Sequence, residues 1–250
     1  MEAIVLGCGE AFDNDLFNTS ILLRTSSATM LLDCGYSIPP RVWRTVADPD
    51  AIDLLYVSHP HADHFFGVPA LLGRMWEDGR TRKLTVLTQS PVIEQLRVAM
   101  ELGYRGLANR FQYQIEWLPA TLERPVESHG ARFSFAETKH SVTNYAVRIE
   151  TEGKAVCYSG DGMWTMASRA LFAGAGLVFH EAYSFETSPV HADIPSLLAM
   201  AAEQDIRQLA FMHVQRNLRR APDPIHAAIN ERPAGRVVMP KPGDVLIPPA

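Results

Sequence analysis

Residues 58–64 read SHPHADH and directly follow IDLLYV, an apolar run that predicts a buried strand. His59 and His61 lie two positions apart, so an extended chain points both imidazoles to the same side. Asp63 and His64 follow where the strand gives way to a turn, which can aim them at a second point nearby. One short segment can therefore supply two ligands to each of two adjacent metal ions. This ligand chemistry favours zinc, with manganese or iron as alternatives.

Three further candidate ligands lie at the ends of later predicted strands. His140 ends FSFAETKH, Asp161 ends AVCYSGD, and His213 lies near the end of QLAFMHV. A sheet usually carries its chemistry where its strands pass into loops. A polar loop whose histidines cap a helix or pack in the core is the structural alternative. Three histidines and an aspartate in the order of SHPHADH favour the metal centre over that alternative.

The order of the predicted elements indicates the fold class. Early strands, among them residues 29–35, pair as hairpins, whereas later strands alternate with helices. One helix is predicted over 65–77, another begins after the capping residue Ser90, and a third after Asp193. This mixture predicts two sheets packed face to face with helices outside, a layered α/β arrangement.

Composition narrows the protein class. The chain has 250 residues, of which 47% are hydrophobic and 20% charged, as in soluble globular proteins. No linker or repeat divides it, so residues 1–250 are predicted to form a single domain. A net charge of −5 weighs against binding to nucleic acid. The three cysteines, far apart and without CxxC spacing, favour a reducing cytoplasm, and no run approaches the roughly 20 apolar residues of a membrane helix.

The motifs together resemble those of the metallo-β-lactamase-fold hydrolases. HPHADH, a strand-end histidine, YSGD and LAFMH follow in the order found in that superfamily, and VLGCGEA, NTSILL and LLDCG near the start resemble it too. The resemblance is closest to the branch that contains ribonuclease Z, arylsulfatase-like enzymes and small phosphodiesterases. It extends from residue 4 to about residue 247, nearly the whole chain.

The resemblance implies a four-layer αββα sandwich, two mixed β-sheets flanked by helices, with a dinuclear metal site at one edge. The implied ligands are His59, His61 and His140 for one metal ion, Asp63, His64 and His213 for the other, and Asp161 as a bridge together with a water or hydroxide. The implied cofactors are two divalent metal ions, with Zn²⁺ favoured. Asp63 can also orient the metal-bound hydroxide through its second oxygen.

A second pair of motifs suggests a proton donor. FHEAY and VHAD resemble elements of the ribonuclease Z branch, in which a histidine protonates the leaving group with support from an acid. Carried over, these roles fall to His191 and Glu181. In the structural alternative, His191 merely precedes a helix and Glu181 makes a structural hydrogen bond.

The function predicted is that of a zinc-dependent hydrolase of small phosphate esters, most specifically a phosphodiesterase using metal-bound hydroxide. Only residues 141–160 separate His140 from Asp161, so the long tRNA-binding arm of ribonuclease Z is expected to be absent. Hydrolysis of aryl sulfates, lactones or β-lactams, an iron-containing oxygen or sulfur redox enzyme, and a non-catalytic binding module are the alternatives. The expected partner is a small-molecule ester, with neither nucleic acid nor membrane, and a homodimer is possible.

The pocket walls offer two further hypotheses. One of Arg216, Arg219 and Arg220 can bind a phosphate, whereas a solvated basic loop is expected for at least two of the three. Phe65 and Trp164 closely follow candidate ligands, so they can form the wall of an apolar substrate pocket.

Overall fold

Two seven-stranded β-sheets form the centre of the computed structural model, which describes residues 1–249. The first sheet contains β1 (Glu2–Gly7), β2 (Ser20–Arg24), β3 (Thr29–Leu32), β4 (Leu54–Tyr56), β5 (Leu84–Thr88), β6 (Ile115–Pro119) and β14 (Val245–Leu246). The second contains β7 (Val126–Ser128), β8 (Ala131–Thr138), β9 (Asn144–Thr151), β10 (Lys154–Tyr158), β11 (Leu177–Glu181), β12 (Gln208–Met212) and β13 (Val237–Val238). The predicted domain of residues 1–250 stays a prediction, and residue 250 lies outside the described residues.

Helices cover the outer faces of both sheets. They are α1 (Pro39–Thr45), α2 (Ala62–Phe65), α3 (Val68–Glu77), α4 (Ser90–Gly103), α5 (Met166–Phe172), α6 (Ile194–Glu203), α7 (Arg216–Arg220) and α8 (Asp223–Asn230), with a 3-10 turn at Leu107–Arg110. Helices α1, α3 and α4 pack on the first sheet, and α5, α6 and α8 on the second. The predicted four-layer αββα sandwich is therefore confirmed. Among the described residues, no helix has the length and apolar character needed to cross a bilayer.

The layers follow from the alternation of side chains along each strand. In β2, Ile21 and Leu23 point into the core between the sheets, whereas Leu22 points into the core beneath the outer helices. Both faces of such a strand are buried, which explains why it is apolar at successive positions. The central core contains side chains from both sheets, so the two sheets pack against each other through it.

One predicted helix is interrupted. The stretch 65–77 forms the end of α2 and then α3, with a break at Phe66 and Gly67. Pro69 lies in the first turn of α3, where its missing N–H costs nothing, but a continuous helix would bring its ring against the carbonyl of Phe65. The break lets α2 carry metal-ligand candidates while α3 covers the sheet.

Of the two predicted helix caps, one is present in the structure and the other is not. Asp193 caps α6 by accepting a hydrogen bond from the Ser196 amide at 2.8 Å. The cap assigned to Ser90 is wrong, because Ser90 is already inside α4 and Gln89 precedes it without a side-chain capping bond. The Gln89 side chain instead donates to the Ser58 carbonyl at 2.9 Å, which ties the start of α4 to the histidine loop.

Strand direction determines where the candidate ligands meet. In the first sheet β3, β4, β5 and β6 run parallel, and in the second β10, β11, β12 and β13 do. Parallel strands end at the same edge of a sheet. The loops that follow β3, β4, β10 and β12, together with the loop after β8, therefore gather at one edge of the sandwich.

Candidate metal centre

Seven side chains from four separate segments converge in two groups that share Asp161. The first half-site is defined here as His59, His61 and His140, and the second half-site as Asp63, His64 and His213, with Asp161 common to both. Within each group, one donor atom per residue lies within 4.8 Å of the others. The structure thus brings together all seven residues that the sequence singled out, and each group could hold a metal ion.

The first half-site is a cluster of imidazole nitrogens. His59 Nε2 and His140 Nε2 each lie 3.1 Å from His61 Nδ1. Asp161 Oδ2 lies 3.9 Å from His59 Nε2 and 4.0 Å from His140 Nε2. Nitrogens bound at zinc distances in a tetrahedron lie about 3.3 Å apart, so the spacing of the three histidines fits a shared cation.

The second half-site combines carboxylates with imidazoles. Asp63 Oδ2 lies 3.1 Å from His64 Nε2 and 3.2 Å from His213 Nε2. Asp161 lies 3.3 Å from each of the same two nitrogens, through Oδ1 and Oδ2 respectively. His64 Nε2 and Asp161 Oδ1 are buried without a hydrogen-bond partner among residues 1–249. Buried polar atoms are normally satisfied, so these two donor atoms fit a site for a cation.

Asp33 stands behind the centre and was not assigned from the sequence. It is fully buried at the end of β3, and its carboxylate accepts bonds from His64 Nδ1 at 2.7 Å, from Tyr158 Oη at 2.6 Å and from Ser58 Oγ at 2.7 Å. Because Ser58 Oγ donates to Asp33, it accepts from His59 Nδ1, 3.0 Å away. These bonds leave the Nε2 lone pairs of His59 and His64 directed at the centre. The signal was the strand-end position in LLDCG, which Asp33 shares with the assigned ligands.

His140 is oriented in the same way by a backbone group. Its Nδ1 donates to the Val190 carbonyl at 2.9 Å, so Nε2 carries the lone pair that faces His61. Val190 directly precedes His191. The loop that presents the candidate proton donor therefore also orients a candidate ligand.

Burial and neighbouring charges favour the ligating forms of His59 and Asp63. Burial lowers the pKa of His59, and the nearby His64 and His140 lower it further, so its imidazole is neutral. Burial would also lower the pKa of His64 and of His213, but the carboxylates that face these two rings raise it above its usual range. Burial alone would raise the pKa of Asp63, but His64 and His213 hold it below its usual range. A neutral imidazole and an ionised carboxylate are the forms that bind metal.

Two glycines allow the loops to approach closely enough. A Cβ on Gly35 would lie 1.9 Å from the Asp63 carbonyl oxygen, and one on Gly67 would lie 2.1 Å from the Gly35 carbonyl oxygen. Any larger residue at either position would push the loop after β3 away from the turn that carries Asp63.

His191 and Glu181 form a pair beside the centre. His191 Nδ1 donates to Glu181 Oε1 at 2.6 Å, while Glu181 Oε2 accepts from the amides of Gly162 at 2.6 Å and Ala192 at 3.2 Å. Burial would raise the pKa of Glu181, but the contacts with His191 and His213 hold it below its usual range. Burial would likewise lower the pKa of His191, and Glu181 raises it instead. The result is a partly exposed imidazole that holds its proton, next to the candidate ligands.

The three arginines beyond His213 do not form a loop and are not free. They lie on α7 and pair with the acidic loop 10–16, Arg216 with Glu10 at 2.6 Å, Arg219 with Asp13, and Arg220 with Asp15 at 2.8 Å. The expected solvated basic loop is therefore wrong, because each charge has a carboxylate partner. The acidic loop begins beside the centre, since the Cys8 carbonyl accepts the His213 amide at 3.0 Å.

The two proposed pocket walls lie in different places. Phe65 lines an apolar groove of about 870 Å³ that starts at His61 and includes Phe66. Trp164 packs instead in the outer layer of the second sheet, beneath the guanidinium of Arg169. Only Phe65 is placed as the sequence suggested.

Residues 1–227 match the family model described as anti-Pycsar protein Apyc1. The chain belongs to this family. An anti-Pycsar protein Apyc1 of Bacillus phage 010DV004 is 26% identical over 241 residues, which cover 87% of this chain and 90% of the relative. A ribonuclease Z of Bacillus thuringiensis (strain Al Hakam) is 28% identical over 154 residues, which cover 60% of this chain and 49% of the relative.

Solved structures confirm the fold. The metallo-β-lactamase-fold protein YhfI from Bacillus subtilis superposes with a TM-score of 0.79 at 21% identity, covering 98% of both chains. The short form of human tRNase Z superposes with a TM-score of 0.80 at 17% identity, covering 100% of both chains. The resemblance read from the motifs is thus confirmed, and the chain has the metallo-β-lactamase fold.

Proposed function

We propose that this protein is a dinuclear metal-dependent phosphodiesterase that acts on small phosphate diesters. The observation that carries the proposal is the pair of half-sites joined by Asp161, with His191 held beside them by the buried Glu181. Seven donor atoms at this spacing suit two divalent ions, and zinc is the ion we propose. When bound, such a pair lowers the pKa of a coordinated water and stabilises negative charge on phosphoryl oxygens.

The chain's own residues supply the remaining chemistry. Asp63 contacts His64 and His213 through Oδ2, and we assign its Oδ1 to orient the attacking water. His191 carries a proton on Nε2 while its Nδ1 proton is held by Glu181, so Nε2 is assigned to protonate the leaving oxygen. General acid catalysis of this kind contributes about 10²–10⁴-fold.

The substrate class follows from the family and from the compact loops. The family description points to cyclic nucleotides, which are small diesters and therefore the first substrates to test. Between His140 and Asp161 the chain forms only the hairpin of β9 and β10, which supports a small substrate over a long tRNA. The similarity to ribonuclease Z weakens the expectation, based on net charge, that nucleic acid is not a substrate. RNA is therefore included among the substrates to test.

The proposal is tested by metal analysis followed by a substrate panel. We expect about two metal ions per chain and cleavage of bis-p-nitrophenyl phosphate and of a 3′,5′-cyclic nucleotide, with zinc restoring activity after chelation. The other members of the panel are an aryl sulfate, a lactone, a β-lactam and a pre-tRNA with a 3′ extension. If the protein cleaves one of these compounds and no small diester, the proposed phosphodiesterase function is wrong and that compound indicates the substrate class.

A pair of variants separates catalysis from folding. His59→Ala removes a donor from the first half-site and should abolish diester cleavage, whereas Ser141→Ala changes only a hydroxyl 3.5 Å from His61 and should retain it. Metal-replete protein that cleaves no diester would overturn the proposal. Iron with an oxygen-dependent activity would favour the redox alternative.

A further inference from the structure

Tyr183 lies flat against the imidazole of His191. The two ring centroids are 4.4 Å apart and the ring planes differ by 20°. We propose that Tyr183 is a positioning residue that fixes the plane of the His191 ring so that Nε2 faces the leaving group. This inference rests on the proposed function, because it gives His191 the role of proton donor.

The need for such a residue follows from how His191 is held. Glu181 fixes one atom of the ring, Nδ1, at 2.6 Å, and a single hydrogen bond leaves the ring able to rotate about that contact. His191 is 25% exposed, so the core does not immobilise it. The stacked ring of Tyr183 supplies the missing constraint. A face-to-face contact restricts the orientation of the His191 ring plane, whereas the hydrogen bond restricts only the position of Nδ1.

A second aromatic contact of His191 has a different geometry. The ring of His140 meets it at 5.4 Å between centroids and at 65°, an edge contact rather than a stack. His140 is itself oriented by the Val190 carbonyl. The ring of His213 is also nearly parallel to that of His191, at 18°, but its centroid lies 6.5 Å away, so Tyr183 makes the closer stack.

The backbone of Tyr183 is hydrogen-bonded to two loops, the one that carries His191 and the one that follows His213. Its amide donates to the Ala192 carbonyl at 2.9 Å, next to His191, and its carbonyl accepts the Gln215 amide at 2.9 Å, two residues after His213. Tyr183 therefore spans the loop of the proton donor and the loop of a metal-ligand candidate. A shift of residue 183 would move the donor relative to the centre.

The chemistry of the tyrosine ring suits this role. The face of a neutral aromatic ring is electron-rich and favours a protonated imidazole over a neutral one. Burial and the nearby Glu10 raise the pKa of Tyr183, so the phenol stays un-ionised. The ring face, and not the hydroxyl, makes the contact with His191.

Leaving-group dependence tests the inference. Diphenyl phosphate and bis-p-nitrophenyl phosphate share a shape, but phenolate is the more basic leaving group and needs the proton more. In Tyr183→Leu we expect kcat for diphenyl phosphate to fall about 10–100-fold and kcat for bis-p-nitrophenyl phosphate less than about threefold, with KM for both nearly unchanged. Tyr183→Phe keeps the ring and should match the wild type on both substrates.

Two controls keep the result interpretable. If Tyr183 acts through His191, adding Tyr183→Leu to His191→Ala should cause no further loss, a coupling that a merely structural residue would not show. Tyr183→Met keeps the bulk of the side chain and replaces the leucine variant if that one fails to fold. Metal content and thermal unfolding identify folded variants.

The outcomes separate this inference from the proposed function. Equal loss on both diesters in Tyr183→Leu, or a Tyr183→Phe variant as impaired as Tyr183→Leu, would overturn the positioning role while the phosphodiesterase proposal stands. A wild-type protein that cleaves neither diester would overturn the proposed function itself.

Discussion

The two half-sites use the same kinds of donor but lie in different surroundings. In the second half-site every donor residue is buried, whereas His61 of the first half-site remains partly accessible. The first half-site also borders the apolar groove, which opens at His61. One half of the centre therefore faces the surface from which a substrate would arrive, and the other lies within the protein.

The groups behind the histidines differ in charge as well. Behind the second half-site lie two buried carboxylates: Asp33 accepts a hydrogen bond from His64 Nδ1 at 2.7 Å, and Glu181 lies 3.5 Å from His213 Nδ1, which has no hydrogen-bond partner among residues 1–249. Behind the first stand neutral groups, a hydroxyl of Ser58 and the carbonyl of Val190. A carboxylate partner makes an imidazole a stronger ligand. We therefore expect the buried half-site to bind its metal ion more tightly and the accessible one to exchange its metal ion more readily.

The largest expected effect comes from the residue that both half-sites share. In Asp161→Ala each half-site loses a donor, so we expect less than one metal ion per chain and a fall in kcat/KM of about 10²–10⁴-fold. Elemental analysis and diester kinetics measure the two effects. Asp15→Ala, which removes an exposed carboxylate far from the centre in sequence, is the control. An Asp161→Ala variant that keeps both metal ions would show that Asp161 is no bridge.

A smaller effect is expected from the carboxylate behind His64. Asp33→Asn keeps the shape but removes the charge, and we expect metal affinity at the second half-site to fall about 10–100-fold. Competition with a chromophoric chelator measures it. Ser141→Ala, the matched change behind His61, should leave both affinities within about twofold. If the two variants lose affinity equally, the charge difference between the half-sites has no consequence.

Local patterns predicted the two packed sheets and the shared direction of His59 and His61, whereas the complete set of seven candidate ligands, assigned to two metal ions, came from the family resemblance. Alternating apolar residues place side chains on the two faces of a strand, and His59 and His61 follow that alternation directly. The break between α2 and α3 escaped because the apolar pattern continues across it, and only the ring of Pro69 forbids a continuous helix.

What the sequence could not predict are pairings between distant residues. Asp33 contacts His64 and Tyr158 only after three strands have been brought to the same edge. The arginines of α7 find their carboxylates more than 200 positions earlier in the chain. Sequence periodicity does not identify such partners. The sequence therefore predicts that a residue like Arg219 is solvated, although it is paired in the fold.

The order in which metal ions leave tests the comparison without any substitution. During stepwise chelation we expect one metal ion to be lost first, with dissociation constants that differ by about tenfold or more. Spectra of the cobalt-substituted protein report each step. In Asp33→Asn the two steps should approach each other, because the buried half-site loses its advantage. A single cooperative loss of both ions in the wild type would contradict the proposed asymmetry.

The smallest expected effect lies one layer further out, in the contacts between α7 and the acidic loop. Arg219 is 14% exposed and Asp13 is buried, whereas Arg220 and Asp15 are each 50% exposed. Arg219→Ala should therefore lower the free energy of unfolding by about 1–3 kcal/mol and Arg220→Ala by less than about 1 kcal/mol, measured by urea denaturation.

The pH dependence of that difference follows from Asp13. Burial would raise the pKa of Asp13, but backbone amides and Arg219 lower it below its usual value in the folded protein. A lowered pKa in the folded state stabilises the protein above the unfolded value of about 3.9, and this contribution is lost as the pH falls through the folded value. The gap between wild type and Arg219→Ala should thus be full at neutral pH and shrink in acid. The carbonyl of Cys8, two residues before the acidic loop, accepts a hydrogen bond from the His213 amide. We therefore expect Arg219→Ala to lower the metal affinity of the second half-site only a few-fold. A gap that stays constant down to low pH would show that Arg219 stabilises the protein by packing and not by its charge.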